Sequence, residues 1–470
     1  MNASRRRGAC PGLSAPMPTG DGLLARFLPA EPVAPGAFAG FCAAARRYGN
    51  GTIEISARGS LQVRGLSPHS APLLAAAVAE LGIVTHEGVP VHSNPLVPDA
   101  DLLIDTADAA AELRRTLANA GLVLSPKVSV VVDGGGRLHL DALSADVRLR
   151  AEGPARRPRF YVGLGGDGAS ATWLGAVAPN DAADAVVDLL KVVARHGPAA
   201  RAADVLRAEG IAAFDSALAS RTSFGQSESY VGWAKPTGPA FGRPDDRLRV
   251  PTIAAARWAR FALPTLRHRF VRSSAPSRRM PAEMVGLHRM RDDTVAVGIG
   301  LAFGYAHADA LAELVRIAAA HGARAVRPAP DRALLLIGVA PPDASGLTAA
   351  AERLGFVVRA DDPRRRVAAC PGAPACASGL MPARALAAAL MPALETRMLP
   401  EHGICVHVSG CPKGCAHPAP AALTLVGTAR GCGIVRNGCA YATPGEYLDP
   451  TNLAVEISRI AAPASEAGHA

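Results

Sequence analysis

The stretch HVSGCPKGCAHP, His407 to Pro418, sets Cys411 and Cys415 with three residues between them in a loop rich in Gly and Pro. Upstream, ACPGAPACAS (Ala369 to Ser378) places five residues between Cys370 and Cys376. Four thiolates are the usual ligand set of an iron–sulfur cluster, and the two pairs supply four. Structural zinc sites usually pair cysteines two to four residues apart, so the five-residue gap counts against zinc. The glycines and prolines predict tight turns that aim backbone N–H groups at sulfur, stabilising the charge of a cluster.

Working outward, the chain has 470 residues, enough for two to four domains. Its composition, 49% hydrophobic and 19% charged, is that of a folded protein rather than a disordered one. The first residues, MNASRRRGACPG, have no apolar run after the arginines, which argues against a secretory signal. No stretch is long and apolar enough for a membrane helix. A cytoplasmic protein with no membrane partner is expected, and in a reducing compartment clustered cysteines bind metal or do redox chemistry. Of the nine cysteines seven lie beyond residue 369, a bunching that packing alone would not produce. Cys10 and Cys42 read as packing residues and Cys432 and Cys439 as non-ligands, while Cys405 has no assigned role. The net charge of +10 is concentrated from Arg247 to Ala282, nine arginines with no Asp or Glu. That run reads as a solvated surface loop, with a polyanionic ligand as the alternative. No nucleic-acid-binding signature accompanies it, and aromatics are only 4%.

The chain repeats itself. GLLARF (Gly22 to Phe27) predicts a strand, Phe38 to Tyr48 a helix, TIEIS (Thr52 to Ser56) and SLQVR (Ser60 to Arg64) two strands, and Ala71 to Leu81 a second helix. A similar order recurs: strand TVAVGIG (Thr294 to Gly300), helix Ala308 to His321, strand ALLLIG (Ala333 to Gly338), helix Gly346 to Leu354. Strands of period two alternating with helices indicate ferredoxin-like α+β units. After the first comes PKVSVVVDGGG (Pro126 to Gly136), a strand running into a glycine turn, then short strands and a helix from Ala182 to His196. After the second comes the cysteine region, where ICVHVSG (Ile404 to Gly410) does the same and a helix, Asn452 to Ala461, closes it. Val231 to Pro251 reads as the connector.

The cysteine pattern and the duplication together resemble the sulfite and nitrite reductase haemoprotein family over nearly the whole chain. The resemblance implies a duplicated α+β architecture, two ferredoxin-like half domains paired with two α/β cofactor-binding domains. Boundaries are expected at 1–95, 96–225, 226–362 and 363–470. It also implies that Cys370, Cys376, Cys411 and Cys415 hold a [4Fe–4S] cluster, with Cys415 facing a catalytic iron.

Within that family the chain is most similar to the precorrin-3B synthase branch, through RGACPGLSAP (Arg7 to Pro16), TGDGLLAR (Thr19 to Arg26), ARGSLQVRGL (Ala57 to Leu66) and the stretches already quoted. This resemblance implies a monooxygenase of cobalamin biosynthesis acting on the tetrapyrrole precorrin-3A with dioxygen. NADH would be the electron source, through a separate electron-donor reductase, and the second iron could be non-haem iron or sirohaem. Arg58 and Lys127 are the implied catalytic cations, and Arg26, Arg58, Arg64, Lys127 and Lys413 the implied contacts to substrate. The reductases' Lys-x-Lys appears here as Lys127-Val128-Ser129, and their arginine ahead of a Thr-Ser-Asn-Pro element falls near Glu87. A thinned cation ring suits a small dianion such as sulfite poorly and a tetrapyrrole rimmed with carboxylates better. A sirohaem-dependent sulfite or nitrite reductase, and a cluster or zinc module for electron transfer, stay open as alternatives.

Overall fold

Antiparallel pairing with a strand on either side makes Gly22–Phe27 part of a sheet, and everything that positions the site grows from that sheet. The computed structural model describes residues 11–97, 99, 101–219, 276, 279–395 and 403–448. Cys10, the connector and the closing helix expected at Asn452 to Ala461 lie outside them, as does most of the Arg247 to Ala282 run.

The first half domain comprises β1 (Met17–Thr19), β2 (Gly22–Phe27), α1 (Pro35–Tyr48), β3 (Thr52–Ile55), β4 (Leu61–Leu66) and α2 (Ser70–Glu80). Pro35 opens α1, where its missing N–H costs no hydrogen bond. The first α/β unit follows: β5 (Val91–Ser93), α3 (Thr106–Asn119), β6 (Val130–Asp133), β7 (Val147–Glu152), β8 (Arg159–Leu164), β9 (Thr172–Val177), α4 (Ala182–Ala194), α5 (Ala202–Glu209) and α6 (Ala212–Ala219). Asp105 caps α3 by accepting the Ala107 N–H.

The second half domain comprises β10 (Gly286–Arg289), β11 (Val295–Gly300), β12 (Tyr305–His307), α7 (Ala308–Ala320), β13 (Ala325–Ala329), β14 (Ala333–Val339) and α8 (Ala344–Arg353). The cysteine unit has β15 (Val367–Ala369), α9 (Ala383–Glu395), β16 (Val406–Ser409), β17 (Ala421–Thr428), β18 (Gly431–Gly438) and β19 (Glu446–Leu448).

The duplication is visible in the sheets. Both α/β units carry five strands in sequence order, the first three parallel and the last two antiparallel. In each, a helix bridges the first two strands and the second strand ends in a glycine turn, as PKVSVVVDGGG and ICVHVSG predict. The second half domain corrects the sequence reading in one respect. It has a strand, β13, between its first helix and β14, so in both half domains the first helix is followed by strand, strand and helix.

The half domains are interlocked. Strand β12 of the second extends the first sheet, giving the order β1-β2-β4-β3-β12. Phe38, Phe41, Ile53 and Leu61 share one core with Leu311, Leu314, Leu334 and Leu336. Full burial of such side chains contributes about 1.5–3 kcal/mol each, so the two halves stabilise one another.

The opposite faces of the two sheets differ. Across the first run Arg26, Gln62, Glu54 and Tyr305, paired in register strand to strand. Across the second, Ala325, Ile337, Ala296 and His288 are paired in the same way. That second row packs with Leu96 and Leu138 of the first α/β unit in an apolar cluster. One face is therefore filled with side chains, and the other presents polar groups toward the cysteine unit.

Candidate active site

Cys370 follows β15 directly and Cys411 follows β16, so two neighbouring parallel strands deliver one thiol from each pair to the same end of the sheet. Burial raises the pKa of both, and charge on Cys411 and Cys415 would raise that of Cys370 further, so the pairs lie within electrostatic reach of one another. The Gly410 N–H donates to Cys370 Sγ at 3.1 Å, as the glycine-rich turns predict. Room for this contact depends on glycine: a Cβ on Gly410 would sit 2.8 Å from Gly372 Cα. Cys415 is the exposed member.

Tetrahedral zinc, with bonds of about 2.3 Å, would hold its thiolates about 3.8 Å apart. No three of these sulfurs come within 4.8 Å of one another. Four cysteines this spread, two of them receiving backbone N–H groups, suit the larger frame of an iron–sulfur cluster. Among the described residues, Asp133, His139 and Asp141 do form a tight trio. Its carboxylates are already paired, Asp133 with Arg279 at 3.0 Å and Asp141 with Arg150 at 3.2 Å, so the trio reads as an ion-pair network.

The polar face of the first sheet meets the Cys370–Cys376 loop. Arg64, 4% exposed, is ion-paired with Asp21 at 2.9 Å and lies 3.7 Å from Glu54, and it donates to the Ala375 carbonyl beside Cys376. Its guanidinium is engaged by the protein, so its immediate effect is to hold the cysteine loop. Arg384 of α9 closes the same contact, donating to Glu54 at 2.7 Å and stacking on Tyr305 at 4.2 Å. Arg26 donates to Gln62 Oε1 at 2.8 Å. Exposed Lys413 donates to Ser378 Oγ at 2.7 Å, tying the two cysteine loops together. Gly20, in the β1–β2 turn, donates its N–H to Ala375 O at 3.2 Å, and a Cβ there would come within 2.2 Å of Pro374 O. Gly20→Ala is therefore expected to destabilise the protein by about 1–3 kcal/mol, read as a lower urea midpoint, and to loosen the Cys376 loop.

Arg58 sits in the β3–β4 turn. Its Nη1 donates to Ser144 O at 2.7 Å, its Nη2 to Ser129 Oγ at 2.9 Å, and its Nε to His92 Nε2 at 3.4 Å. Sequence reasoning thus names Arg58 and Lys127, and the structure puts the Ser129 of the altered Lys127-Val-Ser129 run in direct contact with Arg58. A lysine at 129 would set two cations against each other. Half-buried Lys127 is anchored by its backbone N–H to Ser125 Oγ at 3.4 Å, and Glu87 is exposed. The Ala57 carbonyl accepts the Asp331 N–H at 3.0 Å, and Arg332 donates to Ala416 O at 3.1 Å, so one short turn separates Arg58 from the residue after Cys415.

His92 is buried and accepts from Arg58, and burial with the neighbouring guanidinium pushes its pKa down to about 3. The folded protein keeps His92 neutral while the unfolded chain takes up a proton near pH 6.5, so acid favours unfolding. The stabilisation from neutral His92 is complete above that pH and is lost progressively as pH falls toward 3. Urea midpoints measured between pH 7.5 and pH 5 should fall more steeply for the wild type than for His92→Gln, by up to about 1.4 kcal/mol per pH unit.

A family model, the nitrite/sulfite reductase ferredoxin-like half domain, matches residues 26–81. A precorrin-3B synthase from Sinorhizobium sp. is 34% identical over 463 residues, covering 97% of this chain and 89% of its own. The chain belongs to the precorrin-3B synthase family. A sulfite reductase (ferredoxin) of Mycolicibacterium paratuberculosis is 27% identical over 31% of the chain. The structure of the Mycobacterium tuberculosis NirA protein matches with a TM-score of 0.66 at 19% identity, covering 95% of this chain and 82% of that one. This is the sulfite/nitrite reductase-like fold, and it bears out the α+β architecture read from the repeats.

The remaining cysteines among the described residues are buried. Cys42 lies in the α1 core with its thiol pushed up to about 12 by burial, and Cys432 is buried and raised to about 11. Buried Cys405 donates to Arg366 O at 3.4 Å, and Cys439 is buried. His407 is fully buried under the Cys415 loop, edge-on to His417 at 5.7 Å, with no hydrogen-bond partner for either ring nitrogen. Both histidines belong to the HVSGCPKGCAHP stretch, where His417 flanks the cysteine loop and reads as structural or as a group that tunes a cluster. Among the described residues no helix is long and apolar enough to cross a membrane.

Proposed function

We propose that the protein is a precorrin-3B synthase that hydroxylates precorrin-3A at C20 with dioxygen, a peripheral acetate then closing a γ-lactone. What supports this reading most is the 34% identity to a precorrin-3B synthase along nearly the full chain. One atom of dioxygen forms the new C20–O bond and the other leaves as water, with two electrons drawn from NADH through a separate reductase in the cytoplasm. Cys370, Cys376, Cys411 and Cys415 would hold a [4Fe–4S] cluster, and the exposed Cys415 would be the thiol available to a second iron, which we take to be non-haem iron rather than sirohaem. When bound, these centres deliver electrons and the open-shell metal that ground-state dioxygen needs to react with a closed-shell substrate.

The chain's own residues bind and orient. Arg58, fixed on three sides, and Lys127 present cations to the carboxylates of the macrocycle, where an arginine fork matches a carboxylate bidentately. Arg26 and Lys413 extend this contact along the polar face, and Arg64 keeps the Cys376 loop against that face. The test is substrate choice. Holoenzyme supplied with NADH and a reductase should consume dioxygen and NADH in equal amounts when given precorrin-3A. Turnover of sulfite or nitrite in its place would overturn the reading.

A further inference from the structure

Two arginines that no motif singles out converge beside Arg58. Arg114 on α3 and Arg327 on β13 line a small, solvent-open cleft together with Arg58, His92, Pro95 and Pro330. Arg327 is 9% exposed, and its Nη2 donates to Ser93 Oγ at 3.2 Å. Half-buried Arg114 donates from Nη2 to Val91 O at 3.3 Å. A guanidinium carries five N–H donors, so each is left with several. The guanidinium nitrogens of Arg114 and Arg327 that make no hydrogen bond keep some accessible surface, and both side chains line the cleft.

The local charge is unbalanced. Each of these two guanidiniums feels one carboxylate, exposed Glu31, and neither forms an ion pair among the described residues. Arg58 and Arg114 both act on the same neutral imidazole of His92, and Arg327 lines the cleft beside them. Like charges held this close with so little compensation call for an anion. Proline walls make the cleft rigid, which lowers the cost of ordering it around a ligand. The cleft is small and open to solvent, so it admits only a small anionic head such as a carboxylate and excludes a macrocycle.

We propose that Arg114 and Arg327 form a carboxylate-binding subsite that takes a peripheral acidic arm of the tetrapyrrole. The assignment rests on the tetrapyrrole reading and gives it two residues that set specificity. It also explains how the cleft keeps its positive charge although Ser129 and Glu87 stand where the reductases carry cations.

The probes are two stable porphyrins, the octacarboxylate uroporphyrin III and the tetracarboxylate coproporphyrin III, titrated against full-length holoenzyme by fluorescence. The wild type should prefer uroporphyrin. Arg114→Gln and Arg327→Gln should each weaken uroporphyrin binding about tenfold and coproporphyrin binding less than about twofold. Arg207→Gln, which removes an exposed charge on α5, should match the wild type. Arg114→Gln changes a half-buried helix residue and keeps the test open should Arg327→Gln not fold. If both variants keep the wild-type preference, the subsite is wrong while the tetrapyrrole reading stands. If the wild type binds neither porphyrin but binds sulfite, and both variants lose that binding, the arm assignment and the tetrapyrrole reading fall together.

Discussion

Cys411→Ser, purified without oxygen, is expected to lose most of the iron of the wild type, about four atoms per chain for the cluster alone, along with its broad visible absorption. Cys411 is buried at the end of β16, and charge on Cys415 or Cys376 is felt at its sulfur. A serine there offers a hard, protonated oxygen where a thiolate is needed. Turnover of precorrin-3A should fall below detection with it. Cys42→Ala, a core change in α1, should keep full iron and lose only stability. Iron retained by Cys411→Ser and lost by Cys42→Ala would overturn the ligand assignment.

The second large effect is expected at Arg58. Arg58→Met removes a guanidinium that Ser144, Ser129 and His92 hold in one orientation, and leaves a cleft whose shape is set by the backbone. Losing a charge-assisted contact to substrate costs about 2–3 kcal/mol, which is roughly a hundredfold in kcat/KM. Iron content should not change, which separates this variant from the cysteine variants. Arg58→Lys should recover only part of the loss, because an ammonium cannot reproduce the fork. Wild-type kcat/KM in Arg58→Met would remove Arg58 from the site.

The paired cysteines and the repeats are legible in the sequence because each is a local pattern: cysteine spacing in one case, side-chain periodicity in the other. Strand β13 is not, because AVRPA carries an arginine and a proline. Proline is tolerated in sheets at edges, and β13 is the edge strand of its sheet. The pairing of β12 with β3 joins the two repeats, and no local rule points to a strand from one repeat completing the sheet of the other. Arg64 illustrates a different limit. Its position by resemblance suggests a contact to substrate, but Asp21, Glu54 and Ala375, drawn from three separate segments, take up its guanidinium. Arg114 and Arg327 lie in an ordinary helix and an unrecognised strand, and become a pair only when β5 and β13 are brought together.

The most direct measurement supplies the holoenzyme with precorrin-3A, NADH and a reductase under dioxygen labelled in both atoms, and weighs the product. A product heavier by one labelled oxygen atom, with the second label in water, is the result expected of this protein. A product without label, or unchanged precorrin-3A beside reduction of sulfite or nitrite, would contradict the account.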